Sequence, residues 1–131
     1  MGQAAAKQGD QVVAVDIHIV LVPGAPPASV PLPHPFSGLL SGGLSTDVKI
    51  MGKPAAVVGS TADNTPPHLP TAPGTTFQRP PANKATVQMG SQTVKVNGKP
   101  LARIGDKAMT CNDPSDLPVG TVIALGTVMI G

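Results

Sequence analysis

Apolar and polar positions alternate through residues 12–22, where Val13, Val15, Ile17, Ile19 and Leu21 share one face and Asp16 and His18 lie on the other. A period of two rich in β-branched residues predicts a strand. No comparable run occurs later in the chain, since the longest stretch free of both Gly and Pro is residues 10–22. Helices of average length, about 11 residues, have almost nowhere to form. The chain is therefore predicted to be all-β. Short strands are expected at residues 47–50, 84–89 and 92–96, with Asn97-Gly98 as a hairpin turn. The tail, 120–131, reads as two short apolar strands around Gly126. Residues 23–35 and 64–83 are Pro-rich and read as loops, because proline removes ladder donors and fixes φ. Residues 37–46 read as a turn-rich approach to the next unit.

The chain also repeats itself. Residues 48–65 and 94–111 share the frame Val-Lys-x-x-Gly-Lys-Pro-x-Ala-x-x-Gly, and residues 4–10 align more loosely with 100–106. Three copies predict a three-sided object with pseudo-threefold symmetry. Gly52 and Gly59 recur as Gly98 and Gly105, which predicts turns that need positive φ or close backbone approach.

With only three histidines and one cysteine to place, the segments just after the repeats carry the chemistry. His18 lies eight residues after Asp10, His68 eight after Ser60 and Cys111 five after Asp106, so each repeat delivers one soft ligand. His34, held between Pro33 and Pro35, sits in the loop between the first two repeats and completes a set of four. His68 has a similar Pro-flanked setting, which limits the entropy lost on fixing a ring. His18, His34, His68 and Cys111 are read as one tetrahedral metal site. Such donors suit zinc, with iron the weaker choice.

Composition supports a staple. Trp, Tyr and Glu are absent and Phe36 and Phe77 are the only aromatics, so a core of Ala and Val buries little area per residue. The 131 residues bound the chain to one domain, and the single Cys excludes an intrachain disulfide. A formal charge of +2 with dispersed lysines and no aromatic platform argues against nucleic acid. The opening residues lack the charged and apolar regions of a secretory signal, and the run at 12–22 is too short for a membrane helix.

The Pro-Ala-Ala-Val of residues 54–57 and Pro-Leu-Ala-Arg of 100–103, each followed by Gly two residues on, resemble the PAAR repeat proteins. The LPHPF, GKPAA, NTPPH and GDKAMTCND blocks are similar to those of PAAR-like members. The resemblance implies a small cone of β-hairpins that binds zinc near its apex and caps the trimeric spike of a contractile injection machine, such as a type VI secretion system or an extracellular phage-tail-like particle. It places the three histidines and the cysteine on the same four residues. The departures are Val57 in place of Arg and a first repeat without its Pro.

Together these features imply a single PAAR-like domain over residues 1–131 without a fused effector. Its expected role is a structural tip that sharpens the spike, made in the cytoplasm, carried on the particle and touching the target membrane in transit. An adaptor that attaches effector cargo is the alternative. A zinc hydrolase is disfavoured because no Glu is available as general base and Cys111 closes the coordination sphere, although Asp16 or Asp113 could substitute. One chain is expected per spike trimer, since three copies would collide on the axis. The nearly uncharged residues Val119, Val122, Ile123, Leu125, Val128 and Ile130 are the expected docking surface.

Overall fold

Backbone hydrogen bonds at the repeats close into a ring. In the computed structural model, which describes residues 2–131, the amide of Ala6 donates to the carbonyl of Ala102 at 2.9 Å, Ala102 donates to Ala56 at 2.9 Å, and Ala56 donates back to Ala6 at 3.0 Å. A second ring surrounds the first, with Gln8 donating to Pro54, Val58 to Pro100 and Ile104 to Ala4. Both obey the alignment of residues 4–10, 54–60 and 100–106, so the loose first repeat is a full member of the triad. All three ring alanines are fully buried. Small side chains are what let the three backbones meet, which explains why the frame keeps Ala at this position.

Each repeat turns back on itself identically. Gly9, Gly59 and Gly105 have φ of 87°, 98° and 87°, and the next residue returns a side-chain acceptor to the backbone three residues earlier. Asp10 accepts from the Lys7 amide, Ser60 from Val57 and Asp106 from Arg103. In two copies the carboxylate also pairs with the basic side chain, Lys7 with Asp10 at 3.0 Å and Arg103 with Asp106 at 2.9 Å. The departure at Val57 is thus half of a paired change. Where the cation is lost, the anion is lost too, and the Ser60 hydroxyl keeps the turn hydrogen bond and donates to the Gly43 carbonyl at 2.9 Å.

Each repeat is entered through a two-residue strand pairing. β4 (Lys49–Ile50) pairs with β5 (Lys53–Pro54) across Met51-Gly52, and β9 (Lys95–Val96) with β10 (Lys99–Pro100) across Asn97-Gly98. Both central residues of each turn have positive φ, 52° and 82° in the first and 53° and 79° in the second, as a type I′ hairpin requires. The third pairing has no turn. β1 (Gln3–Ala4) pairs with β13 (Met129–Ile130), with Ala4 opposite Met129 as Pro54 is opposite Lys49.

Leaving the repeats, the chain runs into six strands that close a barrel. They are β2 (Gln11–Val22), β3 (Ala28–Gly42), β6 (Thr61–Asn64), β8 (Lys84–Val87), β11 (Lys107–Thr110) and β12 (Leu117–Ile123). The order is β12-β11-β8-β6-β3-β2, closed by pairing of β12 with β2, and β7 (Thr76–Phe77) adds to the distal part of β2. All pairings are antiparallel. No helix forms among the described residues, and the all-β barrel, with a donor cluster that could hold a metal, is consistent with the expected cone. The repeats close one end of the barrel and the loops 23–27, 65–83 and 111–116 close the other.

Two expectations are corrected. Residues 28–35, read as loop, continue with 36–42 into β3, the longest strand, which pairs with β2 along its whole length. Pro31, Pro33 and Pro35 stand opposite Ile19, Ile17 and Val15. The amides of Ile17 and Ile19 donate to Asn112 and Asp113, away from β3, so these are the non-hydrogen-bonded pairs of the ladder. Each proline therefore lacks a donor only on the free edge of β3, because β6 pairs with residues 38–42 alone. Val122, expected on the docking surface, is fully buried in the barrel core with Val12, Phe36, Leu40 and Val87, since even-numbered residues of β12 point inward. Val119 faces outward on the barrel wall and Ile123 is half-buried. Leu125, Val128 and Ile130 belong to the repeat end.

The strand at 12–22 is present, with its polar face turned inward. Val15 and Ile17 are exposed, whereas Asp16 and His18 are buried with Val12 and Val20.

Candidate metal centre

β2 brings Asp16 and His18 inward two residues apart, and the β2–β3 register sets His34 directly across from Asp16. His68 comes after β6 and Cys111 after β11, so four separate chain segments deliver buried donors to the loop end of the barrel. One ligand atom from each of Asp16, His18, His68 and Cys111 lies within 4.8 Å of the others. His34 is not in that mutual set. Its ring nonetheless completes a triangle, with centroids 5.5 Å from His18 and 5.6 Å from His68, while His18 and His68 are 5.1 Å apart. Three imidazoles on one tetrahedral zinc, with Zn–N near 2.0–2.1 Å, would have centroids about 5 Å apart. Phe77, brought by β7, packs on His18 and His34 at 5.7 and 5.3 Å.

Asp16 is the residue that sequence reasoning left out of the set. Its carboxylate, fully buried, accepts from the Thr110 hydroxyl and from Asn112 Nδ2 on one oxygen, and lies 2.9 Å from His68 Nε2 and 3.4 Å from Cys111 Sγ on the other. The signal in the chain was its place on the same strand face as His18.

Hydrogen-bond logic assigns the histidine protons. Asn64 Oδ1 accepts from the Ser37 amide, so its Nδ2 must donate, and it does so to Asn83 Oδ1 and His68 Nδ1. His68 then carries its proton on Nε2 and gives it to Asp16. His34 Nδ1 donates to the Leu32 carbonyl at 2.9 Å, which leaves Nε2 as an acceptor, met by the Thr71 amide at 3.2 Å. A backbone carbonyl on the remote nitrogen is the outer-sphere arrangement typical of a metal-bound imidazole.

His18 differs from both. Neither of its buried ring nitrogens has a hydrogen-bond partner, and Asp113 Oδ2 is 3.5 Å from Nδ1. Burial lowers its pKa below 6.5, opposed by the charge of Asp113, and burial likewise lowers that of His34. Burial pushes the Cys111 thiol up to about 11, helped by the charge of Asp16. Without a metal, neutral imidazoles face a protonated thiol.

An unsatisfied buried polar atom costs about 1–3 kcal/mol, so the orphaned Nε2 of His18 calls for a partner that the protein does not provide. Imidazole and thiolate donors suit a borderline-soft divalent ion, and the residues present fit one.

No curated protein and no solved structure matches the chain. The family model for the PAAR motif matches residues 37–114, more than half of the chain, and spans the second and third repeats together with His68 and Cys111. Those two repeats supply two sides of the hydrogen-bonded ring and the first repeat supplies the third. The chain therefore belongs to the PAAR motif family, a structural, metal-binding family of spike tips that associate with the spikes of contractile injection systems.

Proposed function

We propose that this chain is one PAAR-like domain that caps a trimeric spike, one chain per trimer, and sharpens it for puncture of a target envelope. The observation that carries the reading is the double ring at the repeats, which gives a single chain three near-equivalent sides at one end. That end is well suited to a threefold axis. Leu125 and Met129 are exposed there, along with Met51 at the tip of the β4–β5 hairpin. The donor cluster lies toward the opposite end, where a metal would tie loops 65–83 and 111–116 to the β2–β3 hairpin.

We assign zinc as the ion, held by His18, His34, His68 and Cys111, with His68 exchanging for the ion the Nε2 proton that it gives to Asp16 in the metal-free protein, and Asp16 remaining beside Cys111. The triangle of imidazoles supports this choice over a set in which Asp16 replaces His34, and it requires the Thr71 amide to give up His34 Nε2 to the ion. When bound, zinc supplies cross-linking, since its binding free energy adds to that of folding. No helix among the described residues is long and apolar enough to cross a membrane.

The direct test is the mass of the complex formed with a trimeric spike expressed from the same source. One chain per three spike subunits is expected. A three-to-three complex, or none, defeats the reading.

A further inference from the structure

Outside the donor cluster, one buried carboxylate is held in place by a charge from another loop and aimed at a donor. Asp113, its side chain only 4 % exposed, has Oδ1 at 3.0–3.1 Å from the Arg79 guanidinium, and Oδ2 accepts from the Ile19 amide at 2.8 Å. Arg79 also donates to the Asn112 carbonyl at 2.7 Å, so the guanidinium clamps the backbone as well as the side chain of the 111–116 loop. The oxygen fixed on Ile19 is the one that lies 3.5 Å from His18 Nδ1. His18 is the donor whose orientation no hydrogen bond fixes. Beside it a cleft of about 260 Å³, lined by His18, Cys111, Arg79 and Asp116 among others, opens past the clamp.

We propose that Asp113, anchored by Arg79, is the positioning residue for His18: it accepts a hydrogen bond from Nδ1–H, fixes the tautomer and leaves Nε2 for the metal. The proposal rests on His18 being a ligand in the zinc site assigned above. A carboxylate behind a metal-bound imidazole raises the basicity of the ligating nitrogen and holds the ring plane, and losing such a partner lowers affinity on the order of 10–100-fold. The clamp also explains why Asp113 sits on a loop. The Asp113 amide donates to the Ile17 carbonyl and the Ile17 amide to Asn112 Oδ1, so the loop is sewn to β2 beside the residue it serves.

Nitrogen-15 NMR of the metal-free wild type at pH 8 reads the His18 tautomer directly, and a competition titration against a chelator reads zinc affinity. The expected results are a His18 proton on Nδ1, a tautomer mixture in Asp113→Asn, and zinc affinity in that variant lower by about 10–100-fold with little change in the metal-free melting temperature. Arg79→Gln, which leaves the carboxylate in place, is expected to show a smaller loss of affinity. A His18 proton on Nε2 in the wild type overturns the proposal. So does an Asp113→Asn variant that keeps the wild-type tautomer and affinity. Wild-type protein that binds no zinc removes the assigned metal, and the NMR measurement then still decides the role of Asp113.

Discussion

Asp16 Oδ2 lies 2.9 Å from His68 Nε2, and because Asn64 occupies the other ring nitrogen as a donor, the proton between them belongs to His68. The pair ties β2 to the 65–83 loop without an ion. Metal-free protein is therefore expected to keep part of its apical structure, and the contribution of each donor can be read separately.

The choice of fourth ligand can be checked with Co²⁺-substituted protein. His34→Ala is expected to open the coordination sphere to water and weaken the intense visible bands of a tetrahedral site. Asp16→Asn should retain those bands with lower affinity. The reverse outcome makes Asp16 the ligand. Cys111→Ser should abolish the sulfur charge-transfer band and lower the zinc content found by elemental analysis from about one per chain.

The stability of metal-free protein should fall on both sides of neutral pH. His18 and His34 have pKa values lowered below 6.5 by burial, so the unfolded chain binds protons that the fold resists, and stability is lost as pH falls below about 6.5. Cys111 is raised from 9.0 to about 11, so its contribution is complete below pH 9 and is lost as pH rises toward 11. Thermal melts across this range in the presence of a chelator test both limbs. Zinc should steepen the acid limb and remove the alkaline one, because the metal-bound ligands have already released the protons that the unfolded chain takes up.

The paired change in the second repeat predicts coupling. Ser60→Asp alone places a buried carboxylate without a cation and should destabilise. Val57→Arg with Ser60→Asp restores the ion pair present at Arg103–Asp106 and should recover stability, with a coupling energy of about 0.5–3 kcal/mol. Denaturant unfolding of the two single variants and the double variant measures it.

Changing Leu125, which is exposed at the repeat end, should separate docking from folding. Leu125→Asp is expected to melt like the wild type and to lose capping of the trimeric spike, as is Val128→Asp. Val122→Asp, which puts a charge inside the barrel, should fail to fold. Loss of capping by none of the folded variants would move the docking surface elsewhere.

What could be read along the chain was local. The glycines with positive φ, the Asn97-Gly98 turn and the alternation on β2 all act over a few residues, so spacing reveals them. His18, His68 and Cys111 were legible as donors because soft ligands are few in the chain and these three recur after the repeats. Which residues met was decided by pairing over long distances in the chain. Pro31, Pro33 and Pro35 argued against a strand until the register put their missing donors on an open edge. Asp16 became part of the site only when the barrel closed and turned the polar face of β2 inward. β1 and β13 make the third hairpin from opposite ends of the described chain, so no turn signal could announce it. The same closure buried Val122 and left Leu125 outside, because the side of a strand that faces the core is set by its neighbours and not by its own hydrophobicity.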